Sequence, residues 1–558
     1  MDMENPKIFG RNNQPLKIQV ITDTHYYSRE NGTEGAAYGK AESKSQKVIK
    51  DTDLVIDAAW ELLLADQSAD IVLLSGDTTK DGELSSHREF IEKLRELKKK
   101  GKRVYVITST HDYQDDGFAK GFAGADEIKI PAAKREDLWE MYFEFGPNEA
   151  LSCHLPSMSY VVQLCDGYRL FALNDDTNGV KGSGYSENCM NWILKQLEDA
   201  QKSDQYVIAM THHPMLSPSP FYAIIGKNDM QRDALHTVSL FADKGLHCML
   251  SGHTHIHNIS QYQTALGNVF YDISTASLVG YPPVMRTVVF DPANENIHVE
   301  TQMIEEVKGL DTGGKPFPQY MKAFFIGMIS EVLWAAANDI DRLSEMTGAF
   351  SIPGEKVRRF GWLIKPPAKL LSKLTIGTVG NWTRAETGLK KEDYADIKDK
   401  KVVEFILEMV TNLYAGDAPY TPDTNEYKIT VGLLNMIDSL LDCAGFRLGK
   451  ILKGADSVRA LVEPLLYNPG PCDDHADLKI HGINKDENVH IDSVYIHYAD
   501  TVKKSKKGPL LLVCLILVLI LALALLVILL PVLAAGALVG GIFSLIRRVL
   551  KKRPRASK

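Results

Sequence analysis

Five short blocks of aspartate and histidine fall in order down the first half of the chain: Asp23-Thr24-His25, Gly76-Asp77, Thr110-His111-Asp112, His212-His213-Pro214 and Gly252-His253-Thr254-His255. Carboxylate suits hard cations and imidazole suits Fe, Zn, Cu and Ni, so a mixed set is what a hydrolytic pair of Mn, Fe or Zn ions requires. Two such ions roughly 3.5 to 4 Å apart can clamp the attacking and leaving oxygens of a phosphate ester. A lone Asp-x-His or His-x-His is ordinarily a loop pair; five in order, in one recurring context, are not.

That context is the end of a strand. Short apolar runs at residues 16–21, 71–74, 103–107, 206–210 and 247–250 each lead directly into one block. Runs that are apolar throughout read as buried strands, and ligands of open α/β sheets gather at the carboxyl ends of such strands. The five blocks are therefore expected to converge.

The blocks resemble the pattern of the calcineurin-like metallophosphoesterases, which is Asp-x-His, Gly-Asp, Gly-Asn-His-Asp/Glu, His and Gly-His-x-His. The match spans residues 15–305. The resemblance implies a β-sandwich flanked by helices, a four-layer α/β/β/α fold, and two divalent metal ions. By motif position, Asp23, His25, Asp77 and His255 hold the first ion. Asp77 bridges to the second, which His212 and His253 also bind. His111 is implied beside the substrate phosphate, with Asp112 fixing its orientation; a positioned imidazole contributes roughly 10² to 10⁴ in rate. The implied reaction is hydrolysis of a small phosphoester by a metal-bridged hydroxide.

One block departs chemically. Where the family has Gly-Asn, this chain has Ser109-Thr110, so an amide oxygen is replaced by a shorter hydroxyl. Thr110 either ligates after a small loop shift, acts through a water, or does not ligate. The Val-Asp-Arg-Gly turn of protein serine/threonine phosphatases is absent after Asp77, and Lys80 stands where purple acid phosphatases have Tyr. His25, the Asp81-Gly82-Glu83 turn, His212-His213-Pro214 and Ser86-His87-Arg88-Glu89-Phe90 resemble class III cyclic nucleotide phosphodiesterases and their bacterial relatives. A phosphodiester of that kind is the first expected substrate and a lipid-linked phosphoester the second. A tethered binding or scaffold protein with an impaired dinuclear site is the non-enzymatic alternative. Two further clusters are weighed: residues 173–178 either line the pocket or form an Asx-rich turn, and His87 is expected to be a solvated or capping residue at a helix start.

The chain has 558 residues, a net charge of −8 and 24% charged residues, room for more than one domain. Its basic residues concentrate late, so nucleic-acid binding by the catalytic half is not indicated. The cysteines at 153, 165, 189, 248, 443, 472 and 514 show no Cys-x-x-Cys spacing and read as small hydrophobes. Residues 1–14 read as an N-terminal extension without a signal sequence. No charged residue falls in 509–546, and 510–530 is almost wholly Leu, Val, Ile and Ala, enough to cross a bilayer of roughly 30 Å. Pro531, Gly536, Gly540 and Gly541 allow one span plus a short segment, or a hairpin. Lysines 503, 504, 506 and 507 precede this run, and a basic tail at 547–558 follows it. Basic flanks on both sides favour a hairpin with the catalytic domain cytoplasmic, which is the arrangement expected; the stronger C-terminal cluster favours the alternative, a single span with the enzyme outside.

Residues 316–471 repeat apolar positions at helical spacing and are expected to form a helical domain. Within it, 356–373 mixes Arg358, Arg359, Lys365 and Lys369 with Phe360 and Trp362. Such patterning fits an anionic membrane surface or a packed helix pair with solvated lysines, and Pro366-Pro367 is expected to interrupt a continuous helix. Residues 472–508 are expected to be a linker or a short strand pair.

Overall fold

The computed structural model describes residues 7–483, apart from 177–181, 226–228, 347–353, 417, 444–456 and 469. The apolar run and basic tail at 509–558 lie outside the described residues. Two sheets face each other. The first has the order β15-β14-β13-β1-β2-β3, the second β11-β12-β10-β9-β8-β7-β6, and β4-β5 form a separate hairpin. The strands are β1 (Leu16–Ile21), β2 (Ile71–Ser75), β3 (Arg103–Ile107), β4 (Phe118–Ala123), β5 (Asp126–Pro131), β6 (Ser152–His154), β7 (Ser159–Cys165) and β8 (Tyr168–Ala172). The chain continues with β9 (Tyr206–Met210), β10 (Cys248–Ser251), β11 (Asn258–Gln263), β12 (Val269–Ser274), β13 (Val284–Asp291), β14 (Asn296–Met303) and β15 (His475–Lys479).

The catalytic half also carries helices α1 (Ala36–Glu42), α2 (Thr52–Ala65), α3 (Leu84–Lys99), α4 (Leu138–Met141), α5 (Glu187–Lys202), α6 (Pro220–Ile225) and α7 (Ala234–Ala242). After the sandwich come α8 (Phe317–Asn338), α9 (Ile340–Met346), α10 (Gly354–Leu371), α11 (Ile376–Thr387), α12 (Val402–Ala415), α13 (Asn425–Cys443) and α14 (Val458–Val462).

Strand alternation explains the layering, because successive side chains point to opposite faces. Ile71 and Leu73 of β2 enter the core between the sheets with Ile18, Val20, Ile208, Met210 and Leu250. Val72 and Leu74 face outward onto Val55, Ile56 and Trp60 of α2 and Phe90 and Leu94 of α3. On the other outer face, Val207, Ala209 and Met249 pack on Ile193 and Leu197 of α5 and Val238 and Phe241 of α7. The result is helix, sheet, sheet, helix. Strands β1, β2 and β3 run parallel, as do β8, β9, β10 and β12, so the ligand-bearing ends of both sheets share one rim.

Three expected boundaries shift. Ile8 is buried in the inter-sheet core, so part of the supposed N-terminal extension belongs to the sandwich. β15, inside the expected 472–508 linker, pairs antiparallel with β14 and covers its exposed edge. Phe317 and Met321 of α8 belong to the outer core over the first sheet rather than to a separate helical domain. The helical segments otherwise build their own core around Ile376, Val379, Phe405, Met409 and Ile429.

α10 runs unbroken through Pro366 and Pro367, contrary to expectation. Among the described residues, α8 alone is long and apolar enough to cross a membrane, by length and composition only. Its apolar residues are used in contacts: Phe317 and Met321 on the sandwich, Phe325 against Tyr281 and Tyr414, and Ala335 against α9 and α10.

Candidate metal centre

Each ligand sits on the turn that follows a strand. β1 delivers Asp23 and His25, β2 Asp77, β3 the 110–112 turn, β9 His212, and β10 His253 and His255. Asp23, His25, Asp77, His253 and His255 all have positive φ, at 51°, 39°, 50°, 66° and 56°. Such backbone costs of order 1–3 kcal/mol per residue and persists where surrounding structure over-determines it. Here neighbouring loops are stitched together: Asp23 N–H donates to the Gly76 carbonyl at 3.1 Å, and His25 N–H to that of Asp77 at 3.0 Å. Gly76, at φ 103°, has no room for a Cβ, which would run into the His212 ring. Gly252 is equally confined, against Thr22 and the Asp23 carboxylate.

The side chains form two groups, Asp23 with His25 and His255, and Asp77 with His212 and His253. In the first, His25 Nε2 lies 3.2 Å from His255 Nε2, and Asp23 Oδ1 lies 3.3 Å from His255 Nε2 and 3.6 Å from His25 Nε2. In the second, His212 Nε2 lies 3.1 Å from Asp77 Oδ2 and 3.2 Å from His253 Nδ1. The groups adjoin. Asp77 Oδ2 is also 3.9 Å from His25 Nε2, and Asp23 Oδ1 is 4.0 Å from His212 Nε2.

This donor set fits two divalent cations. Asp23 Oδ2 is satisfied by the Thr22 hydroxyl and the His253 N–H, yet its buried Oδ1 accepts no hydrogen bond and faces the imidazoles. Likewise Asp77 Oδ1 takes the His111 N–H at 3.0 Å, leaving Oδ2 turned inward. His212 Nδ1–H donates to the Ser75 carbonyl at 2.7 Å, which aims Nε2 at Asp77 Oδ2, 3.1 Å away. Ligation requires neutral imidazole. Burial, with Lys47 adding to it, lowers His25 to about 3, and burial also lowers His253 and His255. His212 differs: burial lowers it, but Asp77 and Asp23 together outweigh burial and raise it to about 10, so metal must displace a proton there.

His111 stands at the mouth, its ring 4.9 Å from that of His25. Asp112 does not orient it. The buried Asp112 carboxylate accepts instead from Thr78 Oγ1 at 2.7 Å, Thr79 N at 2.8 Å and Ser109 N at 2.8 Å, clamping the turn. The His111 ring is held through Nδ1, 2.6 Å from the Lys80 carbonyl and 3.2 Å from Asp81 Oδ1. Asp112 is short and faces back under its own turn, so Asp81 takes the orienting place. Thr110 is solvent-exposed, whereas the six grouped ligands are buried or half-buried. Its hydroxyl would have to turn inward to ligate.

Three further residues stand behind the site. Lys47, in the loop before α2, places Nζ 3.2 Å and 3.3 Å from the two ring nitrogens of His25. No local signal in Lys44-Ser45-Gln46-Lys47 marks it, since only the tertiary fold brings that loop over β1. Asp175, within the weighed 173–178 cluster, supports the second group: its carboxylate lies 3.0 Å from His213 Nδ1 and accepts the His212 N–H at 3.3 Å. Thr177 and Asn178 lie outside the described residues. His87 is fully buried rather than solvated, bridging Tyr142 Oη at 2.8 Å and the Asp112 carbonyl at 2.9 Å, and burial pushes it down to about 4. Three positions after Leu84 at the start of α3, it faces the sheet because that helix turns the Phe90 and Leu94 side inward.

A four-layer sandwich that gathers aspartate and histidine from five strand ends defines a binuclear metal-dependent hydrolase. Residues 16–257 match the family model of the calcineurin-like phosphoesterases. Over this region the chain is similar to the calcineurin-like phosphoesterases, and with its two ligand groups it is a hydrolase of phosphoric esters that uses two divalent metal ions. Similar solved structures include a dimetal phosphatase from Danio rerio, 14% identical, covering 52% of this chain and 97% of that one at a TM-score of 0.36. A purple acid phosphatase from yellow lupin (Lupinus luteus) is 14% identical, with 55% and 54% coverage and a TM-score of 0.32. The NAD nucleotidase of Haemophilus influenzae is 10% identical, with 65% and 62% coverage and a TM-score of 0.28. No curated protein matches the sequence.

Proposed function

We propose that this chain is a membrane-anchored phosphodiesterase acting on small diesters of the cyclic-nucleotide kind. The carrying observation is the pair of adjoining three-residue groups with inward-facing Asp23 Oδ1 and Asp77 Oδ2, flanked by His111. When bound, two divalent ions neutralise phosphoryl charge and lower the pKa of the attacking water. The chain's own residues do the rest. The Lys80 carbonyl and Asp81 carboxylate hold Nδ1–H of His111, leaving Nε2 to serve the leaving oxygen by hydrogen bond or proton. Asp112 keeps the Thr110–Asp112 turn against Thr78 and Thr79, which fixes where the His111 backbone meets Asp77.

The preference for a diester rests on His25 in the first block, the Asp81-Gly82-Glu83 turn and the His-His-Pro block. A lipid-linked phosphoester is the second reading, supported by the uncharged run at 509–546 that would keep the pocket near a bilayer. Hydrolysis of bis(p-nitrophenyl) phosphate, a 3′,5′-cyclic nucleotide and a lipid-linked phosphoester with added Mn²⁺, for wild type and Asp77→Ala, tests both. Turnover of the cyclic nucleotide that vanishes in Asp77→Ala is expected. Turnover confined to the lipid-linked ester would replace the first reading by the second, and equal background rates for both proteins would remove the enzymatic reading.

A further inference from the structure

Among the described residues, the helices after the sandwich leave a charged face of α10 uncovered. α10 turns Val357 and Ile364 toward Ala335 of α8 and Ile340, Leu343 and Met346 of α9. Away from that contact lie Arg358, Trp362, Lys365 and Lys369, spaced i, i+4, i+7 and i+11 and therefore aligned in a narrow stripe. All four are exposed, and Trp362, at 72%, is the most exposed large apolar side chain among the described residues. Arg358 pairs with Asp341 at 3.2 Å in open solvent, an interaction worth little. Lys365 and Lys369 have no acidic partner among the described residues.

An indole left in water between cations is an arrangement with a physical partner. The ring suits the boundary where one end is apolar and the other wet, and each nearby lysine or arginine gains from anionic headgroups. The chain as a whole is acidic at −8, so such attraction acts through local basic faces of this kind and would orient the molecule. The sequence supplies the tether: an uncharged, Leu-, Val-, Ile- and Ala-rich run at 510–530, preceded by Lys503, Lys504, Lys506 and Lys507. Once tethered, even weak surface contact occurs at high effective concentration. α9 is in turn linked to the catalytic domain, since Glu345 pairs with Lys40 at 3.4 Å and with Lys44 at 3.5 Å, three residues before Lys47.

We propose that the Arg358–Trp362–Lys365–Lys369 face of α10 seats on an anionic bilayer surface and sets how the catalytic rim is presented there. The proposal deepens the membrane-anchored reading and takes only the tether from it. The full chain is reconstituted into phosphatidylcholine vesicles with or without phosphatidylglycerol, with brominated acyl chains, and the Trp362 signal is taken as wild type minus Trp362→Phe. In anionic vesicles that signal is expected to be quenched. Raised salt should relieve the quenching, and Lys365→Glu/Lys369→Glu should remove most of it, each lost cation lowering apparent affinity about fivefold. Absence of quenching in both compositions overturns the proposal, as does equal quenching in neutral vesicles. Protection of Trp362 by an oligonucleotide but not by lipid would also overturn it. Hydrolysis of bis(p-nitrophenyl) phosphate in the same vesicles should be unchanged in these variants, and its loss in wild type would count against the phosphodiesterase alone.

Discussion

The Lys80 carbonyl and the Asp81 carboxylate both face Nδ1 of His111, so the working tautomer and ring angle depend on a residue four positions after a ligand. Replacing Asp81 with Asn weakens that hold while leaving the carbonyl contact. We expect kcat to fall roughly tenfold, a fraction of the range available to a positioned imidazole, with KM little changed. Steady-state kinetics on bis(p-nitrophenyl) phosphate reads the split; a rise in KM alone would contradict the orienting role. Asp112→Asn should be felt first as lost stability, because four buried hydrogen bonds converge on its carboxylate. Thr110 points to solvent, so Thr110→Asn is expected to lower the Mn²⁺ concentration needed for half-maximal activity. An unchanged or higher requirement would show that the amide does not reach the second group.

At the scale of elements, the β2 turn has least tolerance. Gly76→Ala asks a Cβ to adopt φ 103° and to occupy the space of the His212 ring. The strain and the collision both act on the second group, so activity should drop to background while the far-UV spectrum persists. Substantial residual turnover would mean that the turn can relax. α12 carries a different duty, since the Tyr414 carbonyl accepts from His257 N–H at 3.0 Å and the Tyr414 ring packs 4.7 Å from Phe325. His257 directly follows the His253–His255 block by two residues, so the helical segment braces the β10 turn. Tyr414→Ala should cost about 2 kcal/mol, read as a fall in Tm, through lost aromatic packing.

The whole molecule depends on the ions that its turns are strained to receive. Without cations, the adjoining carboxylates and imidazoles of the two groups have no common partner. Ligands that bind the native state alone stabilise it by about 2.7 kcal/mol per site at a hundredfold excess over Kd. Chelation should therefore lower Tm by several degrees and re-addition of Mn²⁺ restore it; a Tm indifferent to chelator would argue that the groups do not hold metal. The structure also joins what sequence divided, since Ile8, β15 and the first turns of α8 all pack on the sandwich. Truncation at residue 305 would uncover the β14 edge and part of the outer core.

The five blocks and the strands before them are legible in the sequence because both are local. A run of apolar residues ending in a polar turn specifies a buried strand and its exit, and metal chemistry restricts the residue types that can follow. The sandwich layers follow from strand alternation in the same way. What the sequence does not carry is contact between distant segments. The orienting role of Asp81 rather than Asp112 is decided by which way a short side chain faces in a tight turn. Lys47 reaches His25 only because the loop before α2 folds across β1, and His87 is buried only because α3 lays that side against Tyr142. Pro366 and Pro367 sit within α10 since packing against α8 and α9 outweighs a local preference. Periodicity and motif depend on neighbours in sequence; these outcomes depend on neighbours in space, which only the packed chain defines.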